Sequence, residues 1–220
     1  MGFRLLLLDL DGTLVDTAPD MAGACNAVRA EEGLDPVPVE ALRNYVSRGA
    51  LGVLDAGMPP ARDEQHAARR HQRFLEVYRE QVADRSRLFP GMEAVLTAFD
   101  GGEQRWGVVT NKPEWLARPL LDALGLLSRS AVLVGGDTLP ERKPHPLPLI
   151  HAAAACGTAP QACLYVGDDE RDVISGRAAG MTTAIALWGY ILPGEEPSAW
   201  GADWECSDPG ALLERLEAIA

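Results

Sequence analysis

Polarity changes abruptly at the start of the chain: Phe3-Arg4-Leu5-Leu6-Leu7-Leu8 is a nearly unbroken apolar run that stops at Asp9, Asp11 and Gly12. A short run without alternation is the pattern of a strand buried on both faces, as in a parallel sheet. Similar runs recur at Trp106–Val109, Ala131–Val134, Cys163–Val166 and Thr183–Ala186. Helical periodicity separates them, over Glu114–Leu124, Pro146–Cys156 and Arg171–Ala179, and each helix is followed by a glycine suited to a left-handed C-terminal cap. Strands alternating with helices imply right-handed crossovers and a parallel sheet covered on both faces, a Rossmann-like α/β core.

Roughly a hundred residues lie between the first two strand runs, too many for one crossover, and they read as helical. An all-helical insert over residues 16–84 is expected, with residues 1–15 and 85–220 forming the core. Thr17 and Asp20 have the spacing of a capping box with Asp in place of Glu, opening a helix that ends at Gly33. Another helix starts near Pro38. A long one runs from Arg62 to Val82, with Ala67, His71, Phe74, Leu75, Tyr78 and Val82 as its inner stripe. Its Arg62, His66, Arg69, Arg70 and Arg73 are read as a solvated face.

Composition narrows the function classes. The 220 residues carry 32 acidic and 20 basic side chains, a formal charge of -12 that disfavours nucleic acid as a partner. The first apolar run is too short and too acidic for a membrane span or a leader segment, so the expectation is a cytoplasmic protein, a monomer or homodimer. Cys25, Cys156, Cys163 and Cys206 have neither C-x-x-C spacing nor histidine neighbours and read as buried thiols.

Candidate chemistry sits at strand ends, where open α/β sheets bind ligands. Asp9-Leu10-Asp11-Gly12-Thr13-Leu14 leaves the first strand with two carboxylates that can share one small volume, and their repulsion calls for a cation. A hard divalent ion, most plausibly Mg²⁺, fits; a pair of turn aspartates is the plain alternative. Gly167-Asp168-Asp169-Glu170-Arg171-Asp172 is a second acidic cluster at the end of a second strand. Thr110-Asn111 after a strand and Lys143 before a proline are weak signals on their own.

Together these motifs resemble the haloacid dehalogenase superfamily, over essentially the whole chain: D-x-D-G-T-L, a strand-end Thr, a lysine in Lys143-Pro144, and G-D-x-x-x-D. The resemblance implies a Rossmann-like core with a C1 cap inserted after the first motif. It also implies a small-molecule phosphate ester as substrate and Mg²⁺ as cofactor. Asp9 is then nucleophile and metal ligand, and Asp11 the general acid and base whose main-chain carbonyl also meets the metal. Lys143 neutralises nucleophile and phosphate, Thr110 and Asn111 cradle phosphate, and Asp168 ligates the metal. Asp172 acts from behind the metal ligands, orienting a water or Lys143. Asp169 is either an alternative ligand or a first-turn helix residue, the second being favoured.

Within the superfamily the chain looks like the phosphoglycolate phosphatase branch. Segments such as Asp16–Asp20, Trp106–Pro113 and Gly189–Ile191 are similar to N-acetylmuramic acid 6-phosphate phosphatases. Either substrate carries a carboxylate, so a cation in the cap is expected, and Arg48 in Ser47-Arg48-Gly49 is the candidate. A phosphosugar mutase of the β-phosphoglucomutase type and a non-catalytic phosphometabolite-binding module are the alternatives.

Overall fold

The computed structural model describes residues 2–100 and 103–219. Strand β1 (Leu5–Leu8) is fully buried and pairs in parallel with β4 (Arg105–Val109) on one side and β6 (Cys163–Gly167) on the other. With β5 (Leu133–Val134), β7 (Thr182–Ala186) and β8 (Trp204–Cys206) they form a six-stranded parallel sheet of order β5-β4-β1-β6-β7-β8. Helices α5 (Met92–Ala98), α6 (Glu114–Ala123), α7 (Leu147–Ala155), α8 (Glu170–Ala178) and α9 (Pro209–Glu217) lie between and after the strands. Leu6 and Leu8 feed one hydrophobic cluster while Leu5 and Leu7 feed another, which is why β1 shows no polar face. The expected glycines follow α6, α7 and α8: Gly125, Gly157 and Gly180 all have positive φ.

The sequence reading differs from the structure in several places. The run at Ala131–Val134 yields only a two-residue strand, and β8, which closes one sheet edge, gave no continuous apolar signal. A two-stranded antiparallel ribbon of β2 (Val15–Asp16) and β3 (Arg87–Leu88) ties the chain together where it leaves the core and returns.

Between β2 and β3 the chain is helical: α1 (Ala18–Glu31), α2 (Val39–Leu42), a 3₁₀ segment Arg43–Arg48, α3 (Gly49–Gly57) and α4 (Glu64–Glu80). The Thr17/Asp20 capping box does not form. The Thr17 side chain makes no cap hydrogen bond and donates instead to Asp11 Oδ1 at 2.6 Å, while Asp20 accepts from Ser86 N–H and O–H, both at 2.7 Å. Both contacts span the junction of insert and core, and Asp20's partner lies 66 residues further along the chain.

Nor is the basic side of α4 wholly solvated. His66 and Arg70 are buried and Ala67 is exposed, because Glu32 just past α1 reaches both side chains: Arg70 Nε lies 2.7 Å and His66 Nε2 3.0 Å from Glu32 Oε1. The Arg70 guanidinium holds the Glu32 carboxyl down at about 2, against the opposing effect of desolvation and with help from His66. A carboxyl depressed on folding stabilises above its ordinary pKa, and that stabilisation is lost as pH falls through the depressed one. Solvent screens part of this interaction at the exposed Glu32, so replacing it by Gln is expected to cost about 1 kcal/mol at pH 7, roughly 2–4 °C in Tm, with the gap to wild type closing between about pH 4.5 and 2. Thermal melts across that range check this; a gap independent of pH contradicts it.

Candidate active site

The parallel register sets Leu8 of β1 beside Val166 of β6, so the next residues of both strands emerge side by side. Carboxylate oxygens of Asp9, Asp168 and Asp172 lie within 4.8 Å of one another. Lys143 meets them from the β5–α7 connection, with its ammonium 2.9 Å from Asp9 Oδ1, 2.7 Å from Asp172 Oδ1 and 2.7 Å from the Tyr165 hydroxyl. Its three N–H groups thus have three acceptors. Burial drives the Asp9 carboxyl up to about 6 despite Lys143, with Asp172 adding repulsion. Asp168 is pushed well above the usual carboxylate range, first by burial and then by Asp9 and Asp172. Three crowded carboxylates against one ammonium leave excess negative charge, and a donor set made only of oxygen suits a hard divalent ion such as Mg²⁺.

Asp168 is held tightly. Thr13 Oγ1 donates to its Oδ1 at 2.8 Å, and the Tyr190 N–H and Ser47 hydroxyl reach its Oδ2 at 2.8 and 3.1 Å. The space around it excludes side chains: a Cβ on Gly189 would lie 2.2 Å from Asp168 Cβ, and one on Gly12 2.2 Å from Asp168 Oδ2.

Asp172 and Asp169 form a reciprocal capping box at the start of α8. Asp169 caps the helix from its N-cap position, accepting from the Arg171 N–H and guanidinium; burial opposes its charge, but these contacts hold its pKa low. Asp169 makes these contacts at the helix start and does not belong to the Asp9–Asp168–Asp172 group. Asp172 Oδ1 is bound to Lys143 and the Tyr165 hydroxyl. Thr110 is buried at the end of β4, and its Oγ1 accepts from Lys112 N–H. The Asn111 amide N–H donates to the Lys143 carbonyl, which commits it to holding the lysine's loop; its Oδ1 is buried with no partner among the described residues.

Asp11 points away from the three-carboxylate group toward a residue the sequence reading overlooked. Lys112 Nζ sits 3.0 and 3.3 Å from the two Asp11 oxygens and 2.8 Å from the Tyr78 hydroxyl of α4. Lys112 stands in Thr110-Asn111-Lys112-Pro113 at a strand end, and Tyr78 was placed on the inner stripe of α4; those were the available signals. Arg171, whose guanidinium donates to the Ser47 carbonyl at 2.8 Å, was also missed.

A cavity of about 550 Å³ opens above Asp9 and Asp11, between core and insert. One wall is apolar, from Met21, Val46, Leu51, Phe74 and Leu75, and the cations Arg48 and Arg142, with His71, also line it. Arg48 is more than half exposed, with its guanidinium 3.8 Å from Glu195 of the core.

The sequence model of the family described as haloacid dehalogenase-like hydrolase matches residues 6–186. The chain belongs to that family. This hydrolase is 46% identical over 214 residues to a phosphoglycolate phosphatase of Xanthomonas campestris pv. campestris (strain 8004), an alignment covering 96% of this chain and 95% of that one. It is 44% identical over 220 residues to the N-acetylmuramic acid 6-phosphate phosphatase of Pseudomonas putida, covering 99% and 98%. Among solved structures, a predicted phosphoglycolate phosphatase from Haemophilus somnus 129pt superposes with a TM-score of 0.85 at 28% identity, over 97% of both chains. No helix of the described residues is long and apolar enough to cross a membrane.

Gly189 gives the most direct test of this geometry, because its φ is not in the left-handed region and only contact forbids a side chain. Gly189→Ala is expected to lower Tm by roughly 4–8 °C, about 2 kcal/mol, and the hydrolytic rate at least about tenfold by displacing Asp168. Calorimetry and turnover measured together check it; an unchanged Tm would show that the loop yields freely.

Proposed function

We propose that this protein is a Mg²⁺-dependent phosphomonoesterase that works through an aspartyl-phosphate on Asp9, with the helical insert as its cap. The observation that carries the reading is the stack of two features in one place: Asp9, Lys143 and Asp168 at the strand ends, and a large, partly apolar cavity with cations directly above them. A phosphate dianion repels an attacking carboxylate, so positive charge must be in place first. Lys143 supplies one such charge. Mg²⁺ held by Asp9, Asp168 and the Asp11 carbonyl would supply the rest, neutralising phosphoryl oxygens.

Asp9 Oδ then forms the bond to phosphorus as the ester P–O bond breaks, and Asp11 hands a proton to the departing alkoxide. In the second half, Asp11 takes a proton from water as its oxygen attacks the phosphorus of the acyl phosphate, releasing inorganic phosphate and restoring the Asp9 carboxylate. Thr110 and Lys143 hold the transferred group, and Asp172 keeps Lys143 aimed.

Relatives of both names align over nearly the whole chain, so sequence identity does not separate the substrates; cavity size does better. Cavities of about 300–1,000 Å³ hold ligands of drug size. At about 550 Å³ the space far exceeds the needs of 2-phosphoglycolate and suits a phosphorylated amino sugar with a carboxylate arm, the description of N-acetylmuramic acid 6-phosphate. Phe74, Leu75 and Met21 offer apolar surface to a sugar face, and Arg48 is the candidate carboxylate clamp. We place the enzyme in the cytoplasm on the same substrate logic, acting alone or as a homodimer.

The expected kcat/KM is at least about tenfold higher for N-acetylmuramic acid 6-phosphate than for 2-phosphoglycolate, with phosphate release abolished by EDTA or Asp9→Asn. The reverse order rejects the substrate assignment; activity surviving Asp9→Asn rejects the mechanism; and isomerised sugar phosphate without net release indicates a mutase. Arg48→Ala should raise KM for the carboxylate-bearing ester by about tenfold while leaving that for p-nitrophenyl phosphate nearly constant. Equal effects on both esters count against the clamp.

A further inference from the structure

The two aspartates of the first strand end do not share a cation. Lys143 serves Asp9, and its ammonium is shared with Asp172 and the Tyr165 hydroxyl. Asp11 has an ammonium of its own, Lys112, arriving from the end of β4 rather than from the β5–α7 connection. Lys112 is buried, with its Nζ also 2.8 Å from the Tyr78 hydroxyl and 4.5 Å from the centre of that ring. Tyr78 is itself 1% exposed and belongs to α4 of the insert, so one contact chain runs from insert to Lys112 to Asp11. Thr17, at the junction between insert and core, fixes the same carboxylate from the other side through its 2.6 Å hydrogen bond to Oδ1.

Stability does not explain a buried Lys112. Taking an ammonium and a carboxylate out of water costs about as much as their attraction returns, and an apolar pair of the same volume would serve packing as well or better. What the arrangement delivers is orientation. Oδ1 receives both Thr17 and Lys112, whereas Oδ2 has, among the described residues, only the longer 3.3 Å contact with Lys112, which leaves it the freer oxygen. A general acid or base works only when its oxygen stays within hydrogen-bond reach of the proton's destination.

We propose that Lys112 is a positioning residue for Asp11: steadied by the Tyr78 hydroxyl of the insert and working with Thr17, it fixes the carboxylate so that Oδ2 faces the ester oxygen and then the attacking water. This rests on the phosphomonoesterase reading above. It assigns the insert a part in the chemistry beyond enclosing the substrate, since Tyr78 reaches the group that moves the proton through Lys112.

The test uses two esters whose leaving groups differ in their need for a proton. p-Nitrophenolate departs without one, so Lys112→Met should form the phosphoenzyme from p-nitrophenyl phosphate nearly as wild type does yet break it down at least about tenfold more slowly. The phosphorylated fraction, read by intact mass after acid quench, then rises above wild type. With an alkyl phosphate such as N-acetylmuramic acid 6-phosphate, formation also needs Asp11; turnover should fall about tenfold to a hundredfold with no such rise. Tyr78→Phe keeps the fold and the ammonium, and should shift both readings the same way by about two- to fivefold. Equal losses with both esters and no accumulation, or no change in either variant, overturn the assignment. If wild type and variants alike yield no phosphoenzyme from either ester under any quench, the covalent reading fails instead, and the two failures are thereby told apart.

Discussion

Crowding of like charge at the ends of β1 and β6 is the constraint around which the molecule is arranged. Parallel pairing of Leu8 with Val166 leaves Asp9 and Asp168 nowhere to go but the same small volume, and Asp172 at the first turn of α8 adds a third carboxylate. Burial lifts Asp9 to about 6 and pushes Asp168 well above the usual carboxylate range, so the three carboxylates resist being ionised together. The surroundings exist to hold that arrangement open. Gly12 and Gly189 leave room around Asp168, Thr13 and the Tyr190 N–H hold it by hydrogen bonds, and Lys143 neutralises only part of the charge. Carboxylates crowded in this way gain most from positive charge brought close to them.

Much of this was legible in the sequence because local rules and the global fold agree. An apolar strand running into Asp-x-Asp-Gly implies a buried parallel strand with a charged tip, and the same logic located Asp168. Glycine stops defined three helices, since a left-handed cap depends on few neighbours. Where the outcome depends on a partner far along the chain, the sequence is silent. Asp20 looks like a capping residue until Ser86 is brought to it, and His66 and Arg70 look solvated until Glu32 turns back over α4. Lys112 falls into the same class: nothing in Thr110-Asn111-Lys112-Pro113 says that its side chain meets Asp11, because that pairing is made by the β1–β4 register and the seat of α4.

The helical insert is bound to the core at the places where chemistry is expected. Ser47 reaches Asp168, Arg171 reaches the Ser47 carbonyl, Tyr78 reaches Lys112, and Arg43 pairs with Asp16 beside the β2–β3 ribbon. These links are short and polar, whereas the rim pair of Arg48 with Glu195 is long and exposed. An exposed pair of that kind contributes little to stability. Arg48 is thus free to exchange Glu195 for a carboxylate on a ligand at small cost, whereas Arg171, held by both Asp169 and Ser47, is not.

Two carboxylates one residue apart on the same strand end therefore sit in different electrostatic settings. Asp9 lies among carboxylates and shares Lys143 with Asp172; Asp11 has Lys112 to itself, with Thr17 and Tyr78 completing the shell. The proposed chemistry asks for that asymmetry. A nucleophile must give its electrons to phosphorus, so its counter-charge has to be shareable with the incoming phosphate, which a three-way contact to Lys143 permits. A proton carrier must hold its place through two half-reactions while its charge changes, which calls for a partner that never leaves. Separate lysines, one from the end of β4 and one from the β5–α7 connection, meet both demands, where one lysine between the two aspartates would have to abandon one of them at each step.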